Sequence, residues 1–227
     1  MTLTKKDWSE IKSNDSWAIF KIMAEFVEGY EKMAKIGPCI SIFGSARTLP
    51  DNKYYQIGVE IAEKLARKGY GIITGGGPGI MEAGNKGAQL GEGKSVGLNI
   101  ELPFEQVYNP YIDSDSNLHF DYFFVRKVVF VKYAQGFVIL PGGFGTMDEL
   151  FEALTLIQTK KIVERPVVIV GRDYWGGLFE WIEKVMLQKE KNISPQDLNL
   201  FALVDTADEA VQYIENFYKT HDLSPNF

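Results

Sequence analysis

Leu140-Pro141-Gly142-Gly143-Phe144-Gly145-Thr146-Met147-Asp148-Glu149-Leu150 joins a short apolar run, Gly136 to Leu140, to a stretch from Thr146 to Lys160 that reads as a helix. A strand that ends in glycines and passes directly into a helix is the repeating joint of parallel α/β proteins. The glycines let the backbone turn sharply and approach a neighbour closely. The first N–H groups of the helix lack intrahelical partners and carry partial positive charge, so phosphate is their natural guest, and Thr146 adds a hydroxyl donor.

Outward from this joint the same rhythm recurs. Cys39 to Phe43 reads as a strand ending in Gly44-Ser45, followed by a helix from Tyr54 to Arg67. Gly71 to Thr74 reads as a strand that runs into Gly75-Gly76-Gly77-Pro78-Gly79 and a helix from Ile80 to Leu90. Further strands are expected at Ser95 to Ile100, Asn117 to Phe124, Pro166 to Val170 and Leu203 to Asp205. Helices are expected at Val125 to Ala134, Leu178 to Gln188 and from Asp205 or Thr206 to Tyr218, with a long loop from Leu102 to Ser116 that contains Pro103 and Pro110. Continuous apolar strands alternating with amphipathic helices predict an α/β fold: a doubly wound parallel sheet of about seven strands with helices on both faces. Ligands of such sheets bind outside the carboxyl ends of the strands, and three strands end there in glycine.

Ahead of this core, Asp15 to Ile36 repeats Trp17, Phe20, Met23, Phe26, Val27, Tyr30 and Met33 at helical spacing, with Asp15 or Ser16 as a cap and Gly37-Pro38 as a stop. The expected organisation is a helical extension over residues 1–36, a nucleotide-binding core over 37–220 and a tail over 221–227.

Composition narrows the function. Lys and Arg number 24 against 30 Asp and Glu, a net charge of −6 that speaks against a broad nucleic-acid footprint. A single cysteine, Cys39, fits a reducing cytosol, and no apolar run is long enough for a membrane span, so a cytoplasmic protein is expected. Two histidines and no Cys/His cluster leave no expectation of a metal. Neither glycine loop spells the dinucleotide fingerprint, because Ile80 stands in the third glycine's place, and Gly93-Lys94-Ser95 leads into a strand rather than a helix. Glu82 and Glu149 each fall in the first turn after a glycine loop, where a carboxylate also favours the helix terminus. Arg126 and Lys127 fall at a helix start, where cations are slightly unfavourable, and that misfit points towards function.

The motif Pro141-Gly-Gly-x-Gly-Thr-x-x-Glu149 resembles the "lonely guy" (LOG) family, which also carries an older name, lysine decarboxylase. The similarity extends to Phe43-Gly-Ser-Ala-Arg47, Gly75-Gly-Gly-Pro-Gly-Ile-Met-Glu-Ala83, Arg126-Lys127 and Gln158-Thr159, over roughly residues 38 to 185. The resemblance implies a Rossmann-like fold, a homodimer or larger assembly, and hydrolysis of the N-glycosidic bond of a nucleoside 5′-monophosphate without a cofactor. It assigns catalysis to Glu149 and Arg126 and phosphate binding to Gly142, Gly143, Gly145 and Thr146. Gly44, Ser45, Gly76, Gly77, Gly79, Glu82 and Lys127 are expected to complete the substrate site. Glu82 replaces a small residue of the plant-type pattern, and this shifts the expected substrate from a cytokinin riboside monophosphate towards AMP. Decarboxylation of lysine normally needs pyridoxal phosphate on a lysine, which nothing in the sequence singles out. A non-catalytic carrier of a nucleotide or of a molybdenum-cofactor-like ligand would need the glycines but not Glu149 with Arg126.

Overall fold

The computed structural model describes residues 8–101 and 108–227. Its strands are β1 (Cys39–Phe43), β2 (Gly71–Thr74), β3 (Ser95–Ile100), β4 (Asn117–Phe120), β5 (Ala134–Ile139), β6 (Val167–Val170) and β7 (Ala202–Val204). Its helices are α1 (Trp8–Met33), α2 (Lys53–Arg67), α3 (Ile80–Leu90), α4 (Phe123–Tyr133), α5 (Phe144–Gln158), α6 (Arg172–Trp181) and α7 (Ala207–Phe217). π-helical turns continue α6 over Ile182–Lys189.

All seven strands are parallel and lie in the order β4-β3-β2-β1-β5-β6-β7. The chain therefore winds from β1 to one edge, returns to β5 beside β1, and winds to the other edge. The loops that leave β1 and β5 run in opposite directions and open a crevice between them, the switch point of a Rossmann-like sheet. The two-residue period of the strands divides the core. Ile40, Ile42, Ile72, Val138, Leu140, Val168 and Val170 meet α2, α3 and α7 on one face. Cys39, Phe43, Ile73, Phe137, Ile139 and Ile169 meet α4 and α5 on the other, where Ile22, Phe26, Tyr30 and Met33 of α1 also pack. Burial pushes the Cys39 thiol up to about 12, so it serves as a small apolar side chain.

Several boundaries differ from the sequence reading. Helix α1 starts at Trp8, so Asp15 and Ser16 lie inside it, and it ends at Met33 before a turn in which Gly37 takes φ +96°. Strand β4 stops at Phe120 because the Glu25 carboxylate of α1 accepts the N–H groups of Asp121 (2.9 Å) and Tyr122 (3.4 Å), which also seeds α4. Helix α6 begins at Arg172 and runs through Gly176 and Gly177 rather than starting at Leu178. The first part of the expected Leu102–Ser116 loop, including Pro103, lies outside the described residues. The tail is tied down: the buried Asn226 donates to the Ala134 carbonyl (3.0 Å) and accepts from Arg165 Nε (2.8 Å). Among the described residues no helix is long and apolar enough to cross a membrane.

Candidate functional site

The crevice between β1 and β5 is a cleft of about 940 Å³. Its walls start as backbone. The Ser45 N–H donates to the Pro141 carbonyl at 3.0 Å, lacing the two loops together, and the Ser45 carbonyl accepts the Ile80 N–H at 3.0 Å. A Cβ at Gly44 would collide with Ile80, so only glycine lets α3 come this close.

The β5 loop is left open. Gly143 is the N-cap of α5, makes no side-chain cap bond, and is followed by no acidic residue in the first turn. Gly143 and Gly145 have nothing within 4 Å of where a Cβ would stand. Thr146 is only 6 % exposed and lines the cleft. An uncapped helix N-terminus with a buried hydroxyl beside it is built to receive an anion.

Two charged residues, Arg126 and Glu149, line the cleft. Arg126, in the first turns of α4, is fixed by its Nε donating to the Leu98 carbonyl at 2.7 Å. Burial lowers its pKa to about 10, with Glu149 pulling the other way. A Cβ at Gly75 would strike its guanidinium, so Gly75 is the space that Arg126 needs. Glu149 projects from α5 with 13 % of its side chain exposed. Burial pushes its carboxyl up to about 7 against the pull of Lys127 and Arg126, and the carboxylates of Glu152 and Asp148 add to the rise. A carboxyl that ionises near neutrality is suited to accept or give a proton.

Of the residues singled out in the sequence, Gly44, Ser45, Arg126, Gly142, Gly143, Gly145, Thr146 and Glu149 line this one cleft. Gly76, Gly77, Gly79, Glu82 and Lys127 are not in its wall. The carbonyls of Gly76 and Gly77 accept from the Asn109 side chain at 3.1 and 3.0 Å, and the Gly76 N–H donates to Thr74 Oγ1 at 3.0 Å. Gly79, at φ +69°, faces the Ser45–Ala46 backbone. Glu82 accepts from the Tyr55 hydroxyl at 2.7 Å, and Lys127 is bound to carboxylates. The lining also includes Arg47, Tyr54 and Tyr174, which were not among the candidate site residues. Arg47 stands inside the Phe43–Arg47 motif and was legible there. Tyr174, whose hydroxyl donates to the Gly142 carbonyl at 2.6 Å, comes from the stretch between the expected Pro166–Val170 strand and the expected Leu178–Gln188 helix and carries no sequence signal.

Sheet order and cleft together define the class: a Rossmann-like, doubly wound α/β protein with its site at the switch point. A family model described as "possible lysine decarboxylase" matches residues 81–214, more than half of the chain, and the chain belongs to this family. Curated relatives include LOG proteins. A cytokinin riboside 5′-monophosphate phosphoribohydrolase of Arabidopsis thaliana is 26 % identical over 191 residues, covering 81 % of this chain and 84 % of the relative. One of Mycobacterium tuberculosis is 29 % identical over 165 residues, covering 69 % and 83 %. Among solved structures, the molybdenum cofactor binding protein of Rippkaea orientalis superposes with a TM-score of 0.58 at 18 % identity, over 80 % of this chain and 98 % of that one. That last likeness is one of fold.

Proposed function

We propose that the protein hydrolyses the N-glycosidic bond of a nucleoside 5′-monophosphate, AMP or a cytokinin riboside monophosphate, to free base and ribose 5-phosphate. One observation carries the reading: a single helix, α5, offers the cleft both an uncapped N-terminus and, one turn on, a half-buried carboxyl that ionises near pH 7. The phosphate would sit on Gly142, Gly143, Gly145 and Thr146, which anchors the non-reacting end and orients the ribose. Glycoside cleavage passes through an oxocarbenium-like state. Ionised Glu149 stabilises that charge and takes a proton from the attacking water, whose hydroxyl joins C1′. The C1′–N bond breaks and the base leaves with a proton from solvent. Arg126 orients Glu149 and the ribose. The relatives' names support phosphoribohydrolase chemistry. Pyridoxal-phosphate decarboxylation finds no foothold, since no lysine is among the described residues lining the cleft.

Purified protein incubated with a panel of nucleoside 5′-monophosphates, including isopentenyl-adenosine monophosphate, should release base and ribose 5-phosphate on chromatography. Glu149→Gln should lower the rate about 10²–10⁴-fold. Nucleotides that bind but stay intact would hand the site to the carrier reading.

We also propose a homodimer. Val129 and Val131 of α4 are buried within the chain, whereas Trp17, Phe20, Met23 and Val27 of α1 are exposed and supply an apolar face for a second copy. Light scattering at micromolar concentration should give twice 25.6 kDa, and the monomer mass would refute it.

A further inference from the structure

We infer that Lys127 is a positioning residue that acts through Glu149, holding its carboxylate in place and in the charged form without touching the substrate. This rests on the reading of Glu149 as the acting carboxylate.

The geometry is a cluster of one cation and three anions. Lys127 Nζ lies 3.6 Å from Glu149 Oε2, 3.0 Å from Asp148 Oδ2 and 2.5 Å from Glu152 Oε2. The lysine is 16 % exposed, whereas Asp148 and Glu152 are 63 % and 32 % exposed. All three carboxylates lie within two turns of α5, and the lysine comes from the first turns of α4, so the cluster also ties the two helices together beside the cleft, which Asp148 and Glu149 line.

One ammonium cannot neutralise three carboxylates. The two outer anions keep much of their hydration; Glu149 does not. The charged groups facing Glu149 are Lys127 and Arg126 from α4 and Asp148 and Glu152 from its own helix. Arg47, on the loop after β1, lines the same cleft. Burial and the two acidic neighbours favour the protonated form, and the two cations oppose them. Burial alone would lower the Lys127 pKa, but its bonds to Glu152 and Asp148 outweigh that and raise it, so it stays charged throughout the range in which Glu149 titrates. Without that charge only Arg126 supports the Glu149 carboxylate from α4, and Glu149 holds its proton to higher pH.

The test is a carbon-13 NMR titration of the glutamate carboxyls, with the Glu149 signal assigned by its loss in Glu149→Gln, run beside the pH profile of hydrolysis. In Lys127→Met the Glu149 midpoint and the acid limb of the profile should both move up by about one unit or more. That is a loss of about tenfold at pH values below the limb, recovered at high pH. Lys127→Arg should restore the parental midpoint, and Glu152→Gln should move it down. Ribose 5-phosphate should bind all of these variants alike. A folded Lys127→Met with an unmoved midpoint overturns the inference, as does an unmoved midpoint in Glu152→Gln should Lys127→Met fail to fold. If the midpoints move as stated while the parent cleaves no nucleotide, the Lys127–Glu149 coupling stands and the hydrolase reading falls.

Discussion

The loops after β2 and β5 look alike in sequence and differ in what their polar groups do. Each follows a strand, is rich in glycine and delivers a glutamate early in the next helix. In the loop after β2, Gly76 and Gly77 give their carbonyls to Asn109, the Gly76 N–H goes to Thr74, the first N–H of α3 goes to Ser45, and Glu82 takes the Tyr55 hydroxyl. In the loop after β5 the helix end is uncapped, Thr146 lines the cleft, and Glu149 shares it with Arg126, whose charge favours the carboxylate. Glycine writes the shape of both loops. Neighbours distant in sequence decide which one has bonding capacity left for a ligand. The first loop is a pillar that shapes the cleft from behind; the second is the cleft's anion-receiving wall.

Substitutions should separate the two roles. The largest effect is expected at the pillar. Gly79→Ala places a Cβ against the Ser45 and Ala46 backbone at a φ of +69° that side chains rarely adopt. It should cost about 3 kcal/mol in urea unfolding. A loss under 1 kcal/mol would mean that this loop is not the rigid support described.

At the other loop, removal of a functional group should stabilise. The Glu149 carboxyl ionises at about 7 in the fold against an ordinary 4.5. Between those values the folded state holds the extra proton, so native stability falls as pH rises through that window. Glu149→Gln cannot ionise and should exceed the parent above pH 7 by about 1–3 kcal/mol. The advantage should vanish below about pH 4.5. Urea unfolding at pH 4, 6 and 8 measures this, and a pH-independent difference would contradict it.

The smallest effect on stability comes with a loss of binding. Gly145 lies in the first turn of α5 with nothing within 4 Å of its Cβ position. Gly145→Ala should stabilise the helix by about 0.5–1 kcal/mol while its methyl, placed in the cleft wall, weakens ribose 5-phosphate binding. Unchanged binding by calorimetry would move the phosphate away from this wall.

The order of strands and helices was legible because each apolar run is short and each helix keeps its period. Where a boundary was missed, a distant residue set it. The aromatic-rich run from Phe120 to Phe124 carries no internal mark of where strand gives way to helix, and Glu25, nearly a hundred residues upstream, makes the break. Gly176 and Gly177 disguised the start of α6, whose Tyr174 reaches the cleft. At the site, the residues that share the cleft wall were marked by glycine and charge. The withdrawal of Gly76, Gly77 and Glu82 from it depends on Asn109 and Tyr55, which no local pattern connects to them. Lys127 reads as half of a basic pair, yet its neighbour faces the cleft while it turns to three carboxylates.

The division between the two loops is tested most directly by titrating ribose 5-phosphate into isotopically labelled protein and following the backbone amides of both. The amides of Gly143, Phe144, Gly145 and Thr146 should shift and saturate together, while those of Gly76, Gly77 and Gly79 stay in place. Saturable shifts at Gly76 to Gly79, with the loop after β5 silent, would contradict the account.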